Sequence, residues 1–129
     1  MRYLLDTHAF LWFLNEDIAL SAKATAAIED LSHTIYLSIA SLWEIAIKVK
    51  IGKLELPQPF GVFMRRQLEI NRRLRLLAIS IDHLDITASI PLHHRDPFDR
   101  LLIGQALREN LTLITNDSKL SLYPVHRLW

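Results

Sequence analysis

At 129 residues, half of them hydrophobic and 22% charged, the chain has the profile of a compact globular domain. It is long enough to bury roughly two-thirds of the surface its unfolded form exposes. With no cysteine it excludes a disulfide framework, a zinc ribbon and thiol chemistry together. The formal charge is only +1 but unevenly spread: Asp6 to Asp30 holds five acids and one Lys, while Arg65 to Arg75 holds five Arg and one Glu. Such a basic stripe suits a polyanion partner or a solvated helix face.

The first strand is expected over Arg2 to Leu5, followed by a helix over Thr7 to Asn15. The apolar run Ala9 to Leu14 is too short to span a bilayer, and Asp6 interrupts the start too early for a signal-peptide core. A cytoplasmic protein is expected. A second helix, about Ser21 to Leu31, has Ser21 as its cap. Thr34 to Leu37 is rich in β-formers and reads as a strand. Leu42, Ile45, Ala46 and Val49 then follow helical spacing up to Gly52. Pro57 and Pro59 mark a loop, and Phe60 to about Arg73 reads as a helix with its arginines outward. A third strand is expected over Leu76 to Ile79, and helices over Asp82 to Ser89 and Pro97 to Glu109. Asn110 takes the left-handed cap position after the last of these. Leu111 to Thr115 is a β-branched strand, and Val125 to Leu128 a last edge strand. Strands separated by helices indicate an α/β fold with a mostly parallel sheet covered on both faces. No repeat or linker interrupts it, so residues 1–129 are expected to form a single domain.

Four acids stand at element junctions, and each has an ordinary explanation. Asp6, between strand and helix, suits an N-cap. Glu44 in Ser41-Leu42-Trp43-Glu44 matches a capping box. Asp96-Pro97-Phe98-Asp99 reads as N-cap, Pro at N1 and an acid in the first turn. Asp117 in Thr115-Asn116-Asp117-Ser118 suits a turn. Together they point elsewhere, because in an open α/β sheet the carboxyl ends of the strands share one edge with a ligand crevice. Two carboxylates about 4 Å apart repel by about 4 kcal/mol at an effective dielectric of about 20. A converging cluster therefore requires a neutralising cation or a retained proton. With no Cys and no spaced pair of His, a hard divalent ion such as Mg²⁺ is the natural candidate. Its chemistry would be metal-assisted phosphodiester hydrolysis.

Leu5-Asp6-Thr7, Trp43-Glu44-Ile45, Asp96-Pro97-Phe98-Asp99-Arg100-Leu101-Leu102 and Thr115-Asn116-Asp117 occur in that order and spacing. Together they resemble a PIN domain, and more narrowly a VapC-type toxin of a toxin–antitoxin pair. The resemblance covers essentially the whole chain. It implies a three-layer α/β/α sandwich, a Mg²⁺- or Mn²⁺-dependent endoribonuclease acting on RNA, a homodimer, and inhibition by a partner antitoxin. Carried over by position, it puts metal coordination on Asp6 and Asp99, with Glu44 and Asp117 completing the acidic pocket. Asp99 is preferred over Asp96 because Asp96 is the better N-cap and the family's apolar stretch fits Asp99 through Ala106. His8 departs from the small polar residue many relatives carry there, and hard ions prefer oxygen to its nitrogen.

Around the acids, Thr7 and Thr115 could orient a carboxylate or a metal-bound water. Arg100 is placed to contact phosphate. Lys48 lies one turn after Glu44, fitting a phosphate contact or a plain ion pair. His93-His94-Arg95 could pair with RNA or form a loop, and Trp12 and Trp43 are assigned to the core or a dimer surface. Two other doubly wound enzymes or modules fit less well. A haloacid-dehalogenase-type phosphatase requires a second Asp where His8 stands. A receiver-like signalling domain requires an acidic pair after the first strand and a late Lys. A degenerate PIN domain acting only as a binding module would not need all four acids.

Overall fold

The computed structural model describes residues 1–129. Five strands, β1 (Arg2–Leu5), β2 (Thr34–Ser38), β3 (Leu74–Leu77), β4 (Thr112–Ile114) and β5 (Arg127–Leu128), form one wholly parallel sheet in the order β3-β2-β1-β4-β5. Six helices accompany them: α1 (Thr7–Leu14), α2 (Ala22–Glu29), α3 (Ile39–Lys50), α4 (Phe60–Ile70), α5 (Ile81–Ser89) and α6 (Pro97–Glu109). The expected three-layer α/β/α sandwich is the architecture observed.

Strand alternation builds the two cores. Tyr3 and Leu5 point to one face, where Phe10 of α1, Ile28 of α2, Ile45 of α3 and Met64 of α4 meet them. Leu4 points to the other, against Leu102, Ile103 and Ala106 of α6 and Leu113 of β4. Because β1 is buried on both faces, its apolar run is continuous, as a central parallel strand requires. On the second face α6 lies close against α5, where a Cβ on Gly104 would stand 2.9 Å from the His83 carbonyl oxygen. No helix is long and apolar enough to cross a membrane.

The caps form largely where the sequence places them. The Ser21 hydroxyl accepts from the Ala24 amide, Asp96 accepts from the Phe98 and Asp99 amides, and Asn110 closes α6 at φ 55°. Several boundaries differ from expectation, and the larger shifts have local causes. Helix α4 stops at Ile70 rather than Arg73, because the Asn71 side chain and amide both turn back to the Gln67 carbonyl. A turn from Asn71 to Leu74 follows, so β3 starts at Leu74, two residues early. As an edge strand it tolerates an exposed Arg75. Helix α3 starts at Ile39 with Ser38 as its cap, so Ser41 and Glu44 lie inside the helix and no capping box forms. Residues Ser118–Leu122 form a 3-10 turn capped by Asp117, and the last strand shrinks to Arg127–Leu128.

The sheet order positions the site. From β1 the chain adds β2 and then β3 outward on one side, and returns to place β4 on the other side of β1. The winding therefore reverses between β1 and β4, and the crevice outside their carboxyl ends is where such folds bind ligands.

Candidate active site

Asp6 and Asp117 leave the carboxyl ends of the adjacent strands β1 and β4. Asp6 is 5% exposed, and its Oδ1 accepts from the Ala9 amide at 2.7 Å, so it does cap α1. The cap engages one carboxylate oxygen and fixes the direction of the other. Burial raises the Asp6 pKa, and the Glu44 charge adds to this; the Thr115 hydroxyl and the Ala9 amide oppose it. Thr115 is fully buried and its Oγ1 also accepts from the Asp117 amide at 3.1 Å. It thereby ties the two strand ends together.

Glu44 reaches the crevice from the second turn of α3. Its Oε1 accepts from the Thr7 hydroxyl at 2.7 Å, and its Oε2 pairs with Lys48 Nζ at 3.1 Å. The Ser41 hydroxyl lies 3.0 Å from Thr7 Oγ1. Thr7 and Lys48 thus hold the two oxygens of one carboxylate, Thr7 from α1 and Lys48 from the next turn of α3. Lys48 is the ion pair among its two sequence readings.

Asp99 stands in the first turn of α6, three residues after Asp96, which is occupied in capping. Burial raises the Asp99 pKa to about 7, helped by the negative charges of Asp96, Asp6 and Glu44 and opposed by His94. Asp117 behaves in the opposite way. Its partial burial is outweighed by the His94 hydrogen bond and by the amide and charge of Lys119, so its pKa is lowered. Between these two acids stands His94, whose Nε2 lies 3.2 Å from Asp99 Oδ2 and 2.7 Å from Asp117 Oδ2. The ligand atoms of these three residues all lie within 4.8 Å of one another. Asp6 and Glu44 lie outside this trio, but their charges act on Asp99. Sequence reasoning offered His94 only an RNA contact or a loop position, not a place between the acids. The available signal was its spacing, two residues before an Asp-Pro cap, which lets its ring return to the capping residue's own amide.

Arg100 does not face the crevice. Its guanidinium donates to the carbonyls of Thr87, Ile90 and Pro91 at 2.9, 3.3 and 2.8 Å, tying the end of α5 and the loop after it to α6. This removes it from the phosphate contact suggested by its place after Asp99. His8 stacks on Trp12 at 5.6 Å instead of joining the acids. Arg73 donates to the Asp30 carbonyl, and Arg65, Arg66, Arg72 and Arg75 are exposed. Trp12 packs against the first core and against Trp129, whereas Trp43 is 60% exposed and meets Phe98 edge-on at 5.3 Å, each one residue from an acid.

A donor set of carboxylate oxygens, one of them raised to about 7 by burial and by its acidic neighbours, fits a hard divalent ion. Such an ion would offset both the burial of the Asp99 charge and the repulsion from its neighbours. The donor chemistry does not suit a thiophilic metal.

Comparison with known proteins agrees. The chain is 38% identical over 61 residues to Ribonuclease VapC16 of Mycobacterium tuberculosis (strain ATCC 25618 / H37Rv), a match spanning 47% of this chain and 41% of that protein. It is 28% identical over 120 residues to Ribonuclease VapC22 of the same organism, covering 91% of this chain and 88% of the relative. It shares its fold with VapBC2 from Rickettsia felis, solved bound to a DNA fragment from their promoter, at a TM-score of 0.73 and 19% identity. That superposition covers 100% of this chain and 99% of the other. The model of the PIN domain matches residues 3–125, the span that carries all four acids, and the chain belongs to the PIN-domain family.

Proposed function

We propose that this protein is a divalent-metal-dependent endoribonuclease and the toxin of a toxin–antitoxin pair. The observation that carries the reading is that Asp99, raised to about 7 by burial and by the charges of Asp96, Asp6 and Glu44, stands beside His94 and Asp117 at the β1/β4 reversal. The ribonuclease names of two relatives support the substrate class, and the VapBC2 assembly supports an antitoxin partner.

In this reading Asp6 and Asp99 hold Mg²⁺, which Mn²⁺ can replace, and Glu44 and Asp117 act directly or through water. When bound, the ion supplies charge neutralisation and activation of water for in-line attack on a phosphodiester. The chain's own residues do the rest. The α1 cap fixes Asp6, and Thr7 and Lys48 fix Glu44. Thr115 joins the two strand ends, so the carboxylates are arranged before any substrate arrives. Ile39, Trp43, Ile47 and Ile51 recur every fourth residue along α3 and are exposed, which supports the expected homodimer.

The test is cleavage of mixed single-stranded RNA by purified, partner-free protein. Cutting that stops with chelator and returns with Mg²⁺ or Mn²⁺ supports the reading; chelator-resistant cutting contradicts it. Sedimentation of the same sample checks the dimer, and a Trp43→Lys variant should shift it to monomer.

A further inference from the structure

His94 offers the nitrogen of an apparent three-residue metal cluster, yet its other contacts argue against ligation. Its Nδ1 accepts the Asp96 backbone N–H at 3.1 Å. A ring nitrogen that accepts an N–H carries no proton, so in the neutral imidazole the proton sits on Nε2. There it donates to Asp117 Oδ2 at 2.7 Å, with Asp99 Oδ2 3.2 Å away. To bind a metal through Nε2, the ring would have to move its proton to Nδ1, directly against the Asp96 N–H.

The loop carrying His94 is held in place. The His94 amide donates to the Tyr123 hydroxyl at 2.9 Å, and that hydroxyl donates to the Pro91 carbonyl at 2.7 Å. Arg100 donates to the same carbonyl from α6. The ring is therefore clamped between the α6 cap and the strand-end acids. Each contact fixes one half of the crevice relative to the other, since Asp99 rides on α6 and Asp117 follows β4.

We propose that His94 is a positioning residue that never ligates the ion. Its fixed Nε2–H holds Asp117 Oδ2, whose Oδ1 caps the Ser118–Leu122 turn, and stands 3.2 Å from Asp99 Oδ2, so the ring sets the spacing of the two acids and leaves Asp99 Oδ1 to the crevice. This rests on the metal-dependent reading above and adds to it a residue outside the four acids. The positioning function predicts equal sensitivity for all hard ions, because what is lost is carboxylate orientation. A nitrogen ligand would instead favour Mn²⁺ over Mg²⁺.

Two measurements test it. The first is the ¹⁵N imidazole spectrum of wild-type protein with and without Mg²⁺. The proposal expects His94 protonated at Nε2 in both; a Nδ1–H ring, or one that changes tautomer when Mg²⁺ is added, overturns it. The second is calorimetric affinity for Mg²⁺ and for Mn²⁺. His94→Ala should weaken both by a similar factor of about 10–100, as loss of a residue orienting ligands does. His94→Gln, which keeps an N–H donor but offers no ligating nitrogen, should recover most of it. A selective loss of Mn²⁺ affinity, or no recovery in His94→Gln, refutes positioning. Wild-type protein that binds neither ion would instead refute the metal-dependent reading, while leaving the tautomer result to be judged alone.

Discussion

Replacing Asp99 with Asn tests the electrostatics of the crevice without requiring substrate. In the folded protein this carboxyl titrates at about 7, against an ordinary value of 3.8, chiefly through burial and the charges of Asp96, Asp6 and Glu44. The native state thus retains a proton, between about pH 4 and pH 7, that the unfolded chain has released. Its stabilising effect is complete below about pH 4 and is lost as pH rises through 7. Above that, ionised Asp99 works against the fold by at most about 4 kcal/mol, at about 1.4 kcal/mol per pH unit. Solvent access to this half-buried group should reduce that to about 2 kcal/mol. The Asn side chain carries no charge, so in chelator Asp99→Asn should match wild type near pH 4 and exceed it by about 2 kcal/mol at pH 8. Urea denaturation across that range measures the difference. A gap independent of pH, or a variant less stable than wild type at pH 8, would refute the argument.

The same proton competes with metal. Affinity for Mn²⁺, followed by calorimetry, should fall about tenfold between pH 8 and pH 6 as Asp99 protonates. Thr7→Val removes the 2.7 Å hydrogen bond to Glu44 and should reduce metal affinity or turnover about 10–100-fold while leaving the Lys48 pair in place. Gly104→Ala drives a methyl group toward the Thr87 side chain and the His83 carbonyl, and should destabilise the fold by about 1–3 kcal/mol in denaturant. Arg100→Met should speed amide exchange from His93 to Asp96, with Arg100→Lys a poor substitute because one ammonium cannot span three carbonyls. Reduced RNA affinity without faster exchange would instead return Arg100 to a phosphate contact.

The strand-then-helix order was legible because β1 and β4 are short apolar runs ended by acids, and because Ser21, Asp96 and Asn110 carry their own local cap chemistry. Boundaries failed where tertiary contacts decided them. Arg75 belongs to a strand because β3 lies at the sheet edge, and Ser38 displaced Ser41 as the α3 cap because β2 delivers the chain to that point. The placement of Asp6 and Asp117 at one edge was legible, since parallel topology sends every strand end there. Thr7, Thr115 and Lys48 were legible as possible supports, but which acid the two threonines would meet was not. Thr7 to Glu44, Thr115 to Asp6 and His94 to Asp117 are contacts between residues that only the assembled fold brings together. Arg100 shows the converse: adjacency to Asp99 in sequence placed it beside the crevice, whereas one residue of helix rotation turns it toward α5.

The most direct test of the central claim compares wild type with Asp6→Ala on mixed cellular RNA in Mg²⁺ or Mn²⁺, both proteins first shown to be folded. The account predicts metal-dependent cuts by wild type that disappear in the variant; cleavage that survives loss of Asp6 would contradict it.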